Sequence, residues 1–180
     1  MDANKCGACH DRLSRHESRR INNIEHCLLC HNPNLTDAVG RKPDQMPAES
    51  VDFRVMIHKI HTGEKLQTKP YIMYHLAVSP GVSGPIDFSG VRYPGDRRNC
   101  EKCHLTNTWL PDGMARDLLP TVTPRGFSNP TPPMSAVCTS CHDSTDAARH
   151  ASREKDSSGE LCLDCHGEDN KYVSTRKVHA

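Results

Sequence analysis

The sequence predicts a small domain that is mainly α-helical and irregular, with a core not built from apolar side chains. Only 35% of its 180 residues are hydrophobic and 4% are aromatic. That composition provides too little buried apolar surface to offset the ordering entropy of the chain. All ten cysteines lie in five copies of one pattern, Cys-x-x-Cys-His. The fold therefore needs something other than polypeptide to fill its core.

The five copies, numbered sites 1 to 5 in chain order, are typical of c-type haem attachment. Their thiols are Cys6 and Cys9, Cys27 and Cys30, Cys100 and Cys103, Cys138 and Cys141, and Cys162 and Cys165. The histidines that follow are His10, His31, His104, His142 and His166. In this motif the two thiols bond to the porphyrin and the histidine ligates the iron. We therefore predict five covalently attached haem c groups, which would form most of the core.

Structural zinc and a disulfide framework are the alternatives for ten cysteines. Neither explains why a histidine follows the second cysteine of every pair. With 12 histidines in 180 residues, five such coincidences have a probability of about one in a million. The repeated histidine favours haem.

A single domain over residues 1–180 is predicted, with sites 1 and 2 in 6–31 and sites 3 to 5 in 100–166. Six prolines in 111–133 predict extended loop, since proline removes a backbone donor and fixes φ. A linker between independent domains is the alternative for that stretch.

A helix is predicted over about residues 50–63 by an apolar stripe at i, i+3, i+4 and i+7, formed by Phe53, Met56, Ile57 and Ile60. Ser50 or Asp52 can cap its start. His58 and His61 lie beside the stripe, with side chains about 60° apart by the helical period. They could therefore serve two neighbouring irons.

Each iron that only carries electrons needs a second axial ligand. The histidines outside the motifs are His16, His26, His58, His61, His75, His150 and His179. Seven candidates suffice for five irons, so complete bis-histidine ligation is possible. Methionine could substitute, at the cost of a higher potential.

Charge and hydropathy exclude other classes of protein. The formal net charge is +1 and there is no basic run, which argues against a nucleic-acid partner. The longest apolar stretches are far short of the ~20 residues of a membrane-spanning helix.

Residues 1–5 lead into site 1 without an apolar signal region, although c-type haem is attached outside the cytoplasmic membrane. We expect an extracytoplasmic protein whose signal sequence is not in this chain, either a mature product or an excised domain.

Three segments, residues 27–33, 52–61 and 93–100, resemble the OmcA/MtrC family of decahaem cell-surface cytochromes of metal-reducing bacteria. The resemblance extends from Cys6 to His179. Members of that family alternate two split β-barrel domains with two pentahaem domains, and this chain is similar to one pentahaem domain.

The resemblance implies a ligand set and a function. The distal ligands it implies are His16, His58, His61, His150 and His179. His26 and His75 stand where the family has other residues, so we expect them not to be ligands. The implied function is electron transfer in extracellular respiration and not enzyme catalysis, at the cell surface, outside the cell or in the periplasm. Metal oxides, chelated iron, flavins or partner cytochromes would accept the electrons.

Two other functions remain as alternatives. A multihaem nitrite or hydroxylamine reductase needs an iron with an open position, whereas all five motifs end in histidine. A subunit of a polymeric cytochrome filament is suggested by haem sites near both termini and would self-associate. Tyr93 and Trp109 are expected to pack on haem faces.

Overall fold

The computed structural model describes residues 2–16, 20–75, 84–114, 117–157 and 159–179. The α-helices in these ranges are Ala3–Cys6 (α1), Ile24–Leu28 (α2), Phe53–Thr62 (α3), Pro133–Cys138 (α4), Thr145–Arg153 (α5), Cys162–His166 (α6) and Thr175–Val178 (α7). Short 3₁₀ turns span Ala38–Gly40, Pro43–Gln45, Gly63–Lys65, Cys100–Lys102 and Pro111–Gly113. The predicted mainly helical and irregular character is confirmed.

Each short β-strand is paired in an antiparallel hairpin that the sequence patterns did not predict. The pairs are Ser14–Arg15 (β1) with Arg20–Ile21 (β2), Ile72–Met73 (β3) with Ile86–Asp87 (β4), and Lys155–Asp156 (β5) with Gly159–Glu160 (β6). Ser14 pairs with Ile21, Ile72 with Asp87, and Lys155 with Glu160. Because each strand has two residues, the hairpins fix local chain reversals and do not form a sheet layer.

Helix α3 was predicted over about residues 50–63 and spans Phe53–Thr62. It begins three residues later and ends one residue earlier than the sequence pattern predicts. The Asp52 carboxylate caps it by accepting from the Arg54 backbone N–H at 3.0 Å. It ends at Gly63, whose φ of +41° disfavours any side chain. A Cβ at that position would also collide with the carbonyl of Val91.

The core formed by polypeptide is small and largely polar. Buried Leu66, Tyr71 and Met73 form one apolar cluster, against which Met56 and Ile60 of α3 pack. In the part of the chain that the structure describes, ten buried residues are polar or charged and seven are apolar. Among the same residues, no helix has both the length and the apolar character that a bilayer crossing requires.

The proline-rich stretch lies against the start of α3. Thr121, which is 0% exposed, donates its hydroxyl to the Asp52 carboxylate at 2.5 Å. Arg54 donates to the same carboxylate at 2.7 Å and to the Thr121 hydroxyl at 3.1 Å. The next residue, Val122, donates its N–H to the carbonyl of Pro33 at 2.7 Å. A buried, charged hydrogen-bond network therefore fixes this stretch to the helix that carries His58.

Candidate haem-binding sites

Each Cys-x-x-Cys-His motif forms one helical turn. In sites 1 to 4 the histidine N–H donates to the carbonyl of the first cysteine at 2.8 to 3.0 Å, and site 5 coincides with α6. Residues three and four apart lie on the same side of such a turn. Both thiols and the histidine can therefore approach one ligand. All ten cysteines are described, and none forms a disulfide.

Every motif histidine faces a second histidine from another part of the chain. The five pairs are His10–His61, His16–His31, His58–His104, His142–His179 and His150–His166. Their ring centroids are 5.9 to 6.2 Å apart. All ten histidines predicted as ligands are thus brought together, one motif histidine to one distal candidate.

Backbone carbonyls hold many of these rings by Nδ1. A carbonyl oxygen only accepts, so Nδ1 carries the proton in each case and Nε2 is left with its lone pair. The hydrogen bonds are His31 to Val51 at 3.0 Å, His58 to Arg54 at 2.6 Å, His61 to Ile57 at 2.9 Å, His166 to Val173 at 3.0 Å and His179 to Thr175 at 2.8 Å. This arrangement fixes the tautomer and the orientation that a metal ligand needs.

Burial keeps several of the paired imidazoles neutral. It lowers the pKa of His104 to about 4, and the neighbouring His58 lowers that pKa further. Burial also lowers the pKa of His58. The pKa of His142 is lowered by burial first, and further by the neighbouring His179 and His166. Because a histidine must be neutral to bind a metal, these shifts favour ligation.

Helix α3 contacts four of the five sites. The Phe53 ring lies 6.5 Å from the ring of His31 at site 2. His58 and His61 face sites 3 and 1. At the end of the helix, the Thr62 hydroxyl is 3.2 Å from the sulfur of Cys141 at site 4.

Two further contacts connect neighbouring sites. The Lys5 ammonium, beside site 1, donates to the carbonyls of Glu101 and His104 at site 3, both at 2.7 Å. Sites 4 and 5 are joined by Glu160, two residues before Cys162, whose carboxylate accepts from the backbone N–H groups of Met134 and Ser135 in α4. Burial raises the pKa of Cys138 to about 12, and the Cys162 thiol adds to the rise.

The two histidines expected not to be ligands are placed differently. Among the described residues, neither His26 nor His75 has a ring contact with another histidine. His26 is exposed, whereas Nε2 of His75 is buried without a hydrogen-bond partner. Tyr93 packs its ring 5.8 Å from that of His61, and the Arg176 guanidinium lies 5.5 Å from the ring centroid of Trp109.

Comparison with known protein families identifies the chain. A model of the outer membrane cytochrome MtrC/MtrF-like proteins, domains II/IV, matches residues 1–180. The chain belongs to this family. No curated protein and no solved structure matched it. Membership in the MtrC/MtrF-like family implies covalently bound haem c, a role in electron transfer and an extracytoplasmic or cell-surface location.

The residues of this MtrC/MtrF-like chain fit haem. Large apolar side chains are exposed across the described ranges, Val39 by 78% and Leu29 by 74%. Conversely, Nη1 of Arg54 and Nε1 of Trp109 are buried donors without an acceptor. A porphyrin would supply an apolar face for the exposed apolar side chains and propionate acceptors for the two buried donors. Arg54 and Lys5 were missed by sequence reasoning, because no motif marks a basic residue as a partner of a haem site.

Proposed function

We propose that this chain is an electron-transfer module holding five haem c groups, each ligated by two histidines. The observation that carries the proposal is the 5.9 to 6.2 Å spacing of ring centroids in the five pairs. An imidazole nitrogen binds a transition metal at about 2.0 Å and the ring centre lies ~1.1 Å behind it, so two imidazoles on opposite sides of one metal have centres ~6.2 Å apart. The pairs have the spacing that axial ligation of one iron requires.

The ligand assignment follows the pairs. Thioether bonds would form at Cys6 and Cys9, Cys27 and Cys30, Cys100 and Cys103, Cys138 and Cys141, and Cys162 and Cys165. The axial ligands would be His10 with His61, His31 with His16, His104 with His58, His142 with His179, and His166 with His150.

The protein residues set the conditions for electron transfer. A bound haem iron exchanges one electron between its ferric and ferrous states. The two histidines of each pair would hold the iron from opposite sides and exclude exchangeable small molecules. The carbonyl bonds to Nδ1 prevent the rings from turning between oxidation states, which keeps reorganisation small.

The contacts between sites support a continuous path that includes all five. Sites 2, 1 and 3 adjoin along α3, through Phe53, His61 and His58. Thr62 and Cys141 bring site 4 to the end of that helix, and the bonds of Glu160 to α4 bring site 5 to site 4. Lys5 reinforces the junction of sites 1 and 3.

The two rival uses of these residues are less well supported. A reductase needs an iron with an open position, whereas each motif histidine here faces a second histidine. Structural zinc needs four convergent ligands, and among the described residues no group of three or more His, Cys, Asp and Glu side chains is arranged to hold a metal ion. Paired histidines suit an axial pair and not a tetrahedral cage.

The ferric absorption and EPR spectra of the holoprotein, followed by carbon monoxide addition to the reduced protein, test the proposal. We expect five low-spin haems that do not bind carbon monoxide, since every iron has two histidines. A high-spin haem that binds carbon monoxide would contradict bis-histidine ligation at that site and favour the reductase.

The resemblance and the family together support a place in extracellular respiration. Partner multihaem cytochromes or other redox proteins would supply the electrons, and metal oxides, chelated iron or flavins would accept them. Stopped-flow oxidation of the reduced holoprotein by chelated ferric iron measures this directly. Electron microscopy of the same preparation distinguishes isolated particles from a filament.

A further inference from the structure

The distal histidine of site 5 differs from those held within their own helices. His58, His61 and His179 each donate Nδ1–H to the carbonyl four residues earlier. In contrast, Nδ1 of His150 lies 3.8 Å from Oε1 of Glu154, four residues later and just beyond the end of α5. At this distance the carboxylate is a neighbour of the ring without a hydrogen bond to it, and no carbonyl bond to Nδ1 of His150 is seen among the described residues.

We propose that Glu154 is a positioning residue for His150 and lowers the reduction potential of the haem at site 5. This inference rests on the proposed function, in which His150 and His166 ligate that haem. A small rotation of the exposed Glu154 side chain would let its carboxylate accept the Nδ1 proton, and such a hydrogen bond increases electron donation from Nε2 to the metal. Stronger donation and the added negative charge both favour the ferric state.

Two other carboxylates near site 5 have partners of their own. Glu160 accepts from the backbone N–H groups of Met134 at 2.9 Å and Ser135 at 2.6 Å, and from the Ser135 hydroxyl at 2.5 Å. Asp146, one helical turn before His150, pairs with Arg149 at 3.1 Å. Of these three carboxylates, Glu154 is the one that lies against the distal ligand.

Exposure limits the size of the effect. The side chains of His150 and Glu154 are 61% and 49% exposed, so water screens their interaction. We expect Glu154 to change the equilibrium constant for reducing site 5 by up to about tenfold, which corresponds to ~59 mV for one electron.

The test is a potentiometric titration of the holoprotein with Glu154→Gln, compared with Asp146→Asn. Both variants remove one negative charge, four residues to either side of His150. We expect one of the five midpoint potentials to shift to a more positive value in Glu154→Gln and none to shift comparably in Asp146→Asn. A shift of less than about twofold in the equilibrium constant, or equal shifts in both variants, would overturn the proposal.

A methionine at position 150 separates this proposal from the ligand assignment on which it rests. His150→Met should produce the charge-transfer band of a methionine-ligated ferric haem. In that background Glu154→Gln should shift the potential less than it does in the parent protein, because the thioether carries no N–H and only the negative charge still acts. An unchanged spectrum in His150→Met would refute the assignment at site 5. A methionine band with an undiminished Glu154→Gln shift would refute only the role of Glu154 as a positioning residue.

Discussion

Replacing Thr121 with valine tests whether the buried network at the start of α3 stabilises the fold. The substitution keeps the shape of the side chain and removes its hydroxyl. That hydroxyl donates to Asp52 at 2.5 Å and accepts from Arg54 at 3.1 Å. Because Asp52 is only 2% exposed, water cannot replace the lost donor.

The expected cost follows from the charge on the acceptor. A hydrogen bond to a charged group contributes about 1.5–3 kcal/mol, and a buried group that loses its partner also keeps its desolvation penalty. The Asp52 carboxylate keeps its hydrogen bonds from Arg54 in the variant. Because the carboxylate stays partly satisfied, we expect Thr121→Val to lower the free energy of unfolding by about 2 kcal/mol. For a chain of this length such a loss lowers Tm by ~4–8 °C.

Urea unfolding of the oxidised holoprotein, followed by far-ultraviolet circular dichroism, measures the difference in the free energy of unfolding. Thr108→Val is the matched control, since its exposed hydroxyl donates only to the carbonyl of Leu105 at 2.9 Å. We expect the control to cost less than about 0.5 kcal/mol. The reasoning is refuted if Thr121→Val costs no more than Thr108→Val.

Three further predictions concern the ligands, the sites and the cofactor. His26→Ala should leave the ferric spectrum low-spin, because the exposed ring has no histidine partner among the described residues; a new high-spin band would show that His26 is a ligand. Lys5→Met should lower the free energy of unfolding by about 1–2 kcal/mol in the same urea assay, since its ammonium joins sites 1 and 3. The exposed Lys102→Met serves as its control, and an equal loss in both would contradict the claim. Chain made without haem attachment should show little helix and no cooperative melt by circular dichroism, because its apolar core is small; native-like helix would contradict this.

The parts of the site that depend on local pattern could be predicted from sequence. Helix α3 follows from apolar spacings of three to seven residues and appears as expected. The Cys-x-x-Cys-His spacing placed the thiols and the histidine of each site in one short segment, and each of these segments forms a helical turn. The apolar stripe was less informative about burial. Val55, outside the stripe, is the helix's buried apolar residue, because α3 is packed by neighbours on more than one side.

Contacts between distant residues could not be predicted from sequence. Thr121 and Asp52 are 69 positions apart, and no pattern in either segment indicates the other. The assignment of each distal histidine to its motif depends in the same way on how the chain folds. Composition predicted a poor apolar core, but it could not predict that buried ion pairs such as Arg41 with Asp37 would replace it.

The contacts of α3 with four sites have a consequence for the dynamics of the molecule. Native proteins open locally, with free energies that differ from one segment to another. An opening of α3 would withdraw His58 and His61 together and would break the contacts at Phe53 and Thr62 in the same event. Under the proposed ligation, electron transfer would therefore be lost as a unit and not site by site. The opening free energy of this ten-residue helix would then set the fraction of molecules that conduct at any moment.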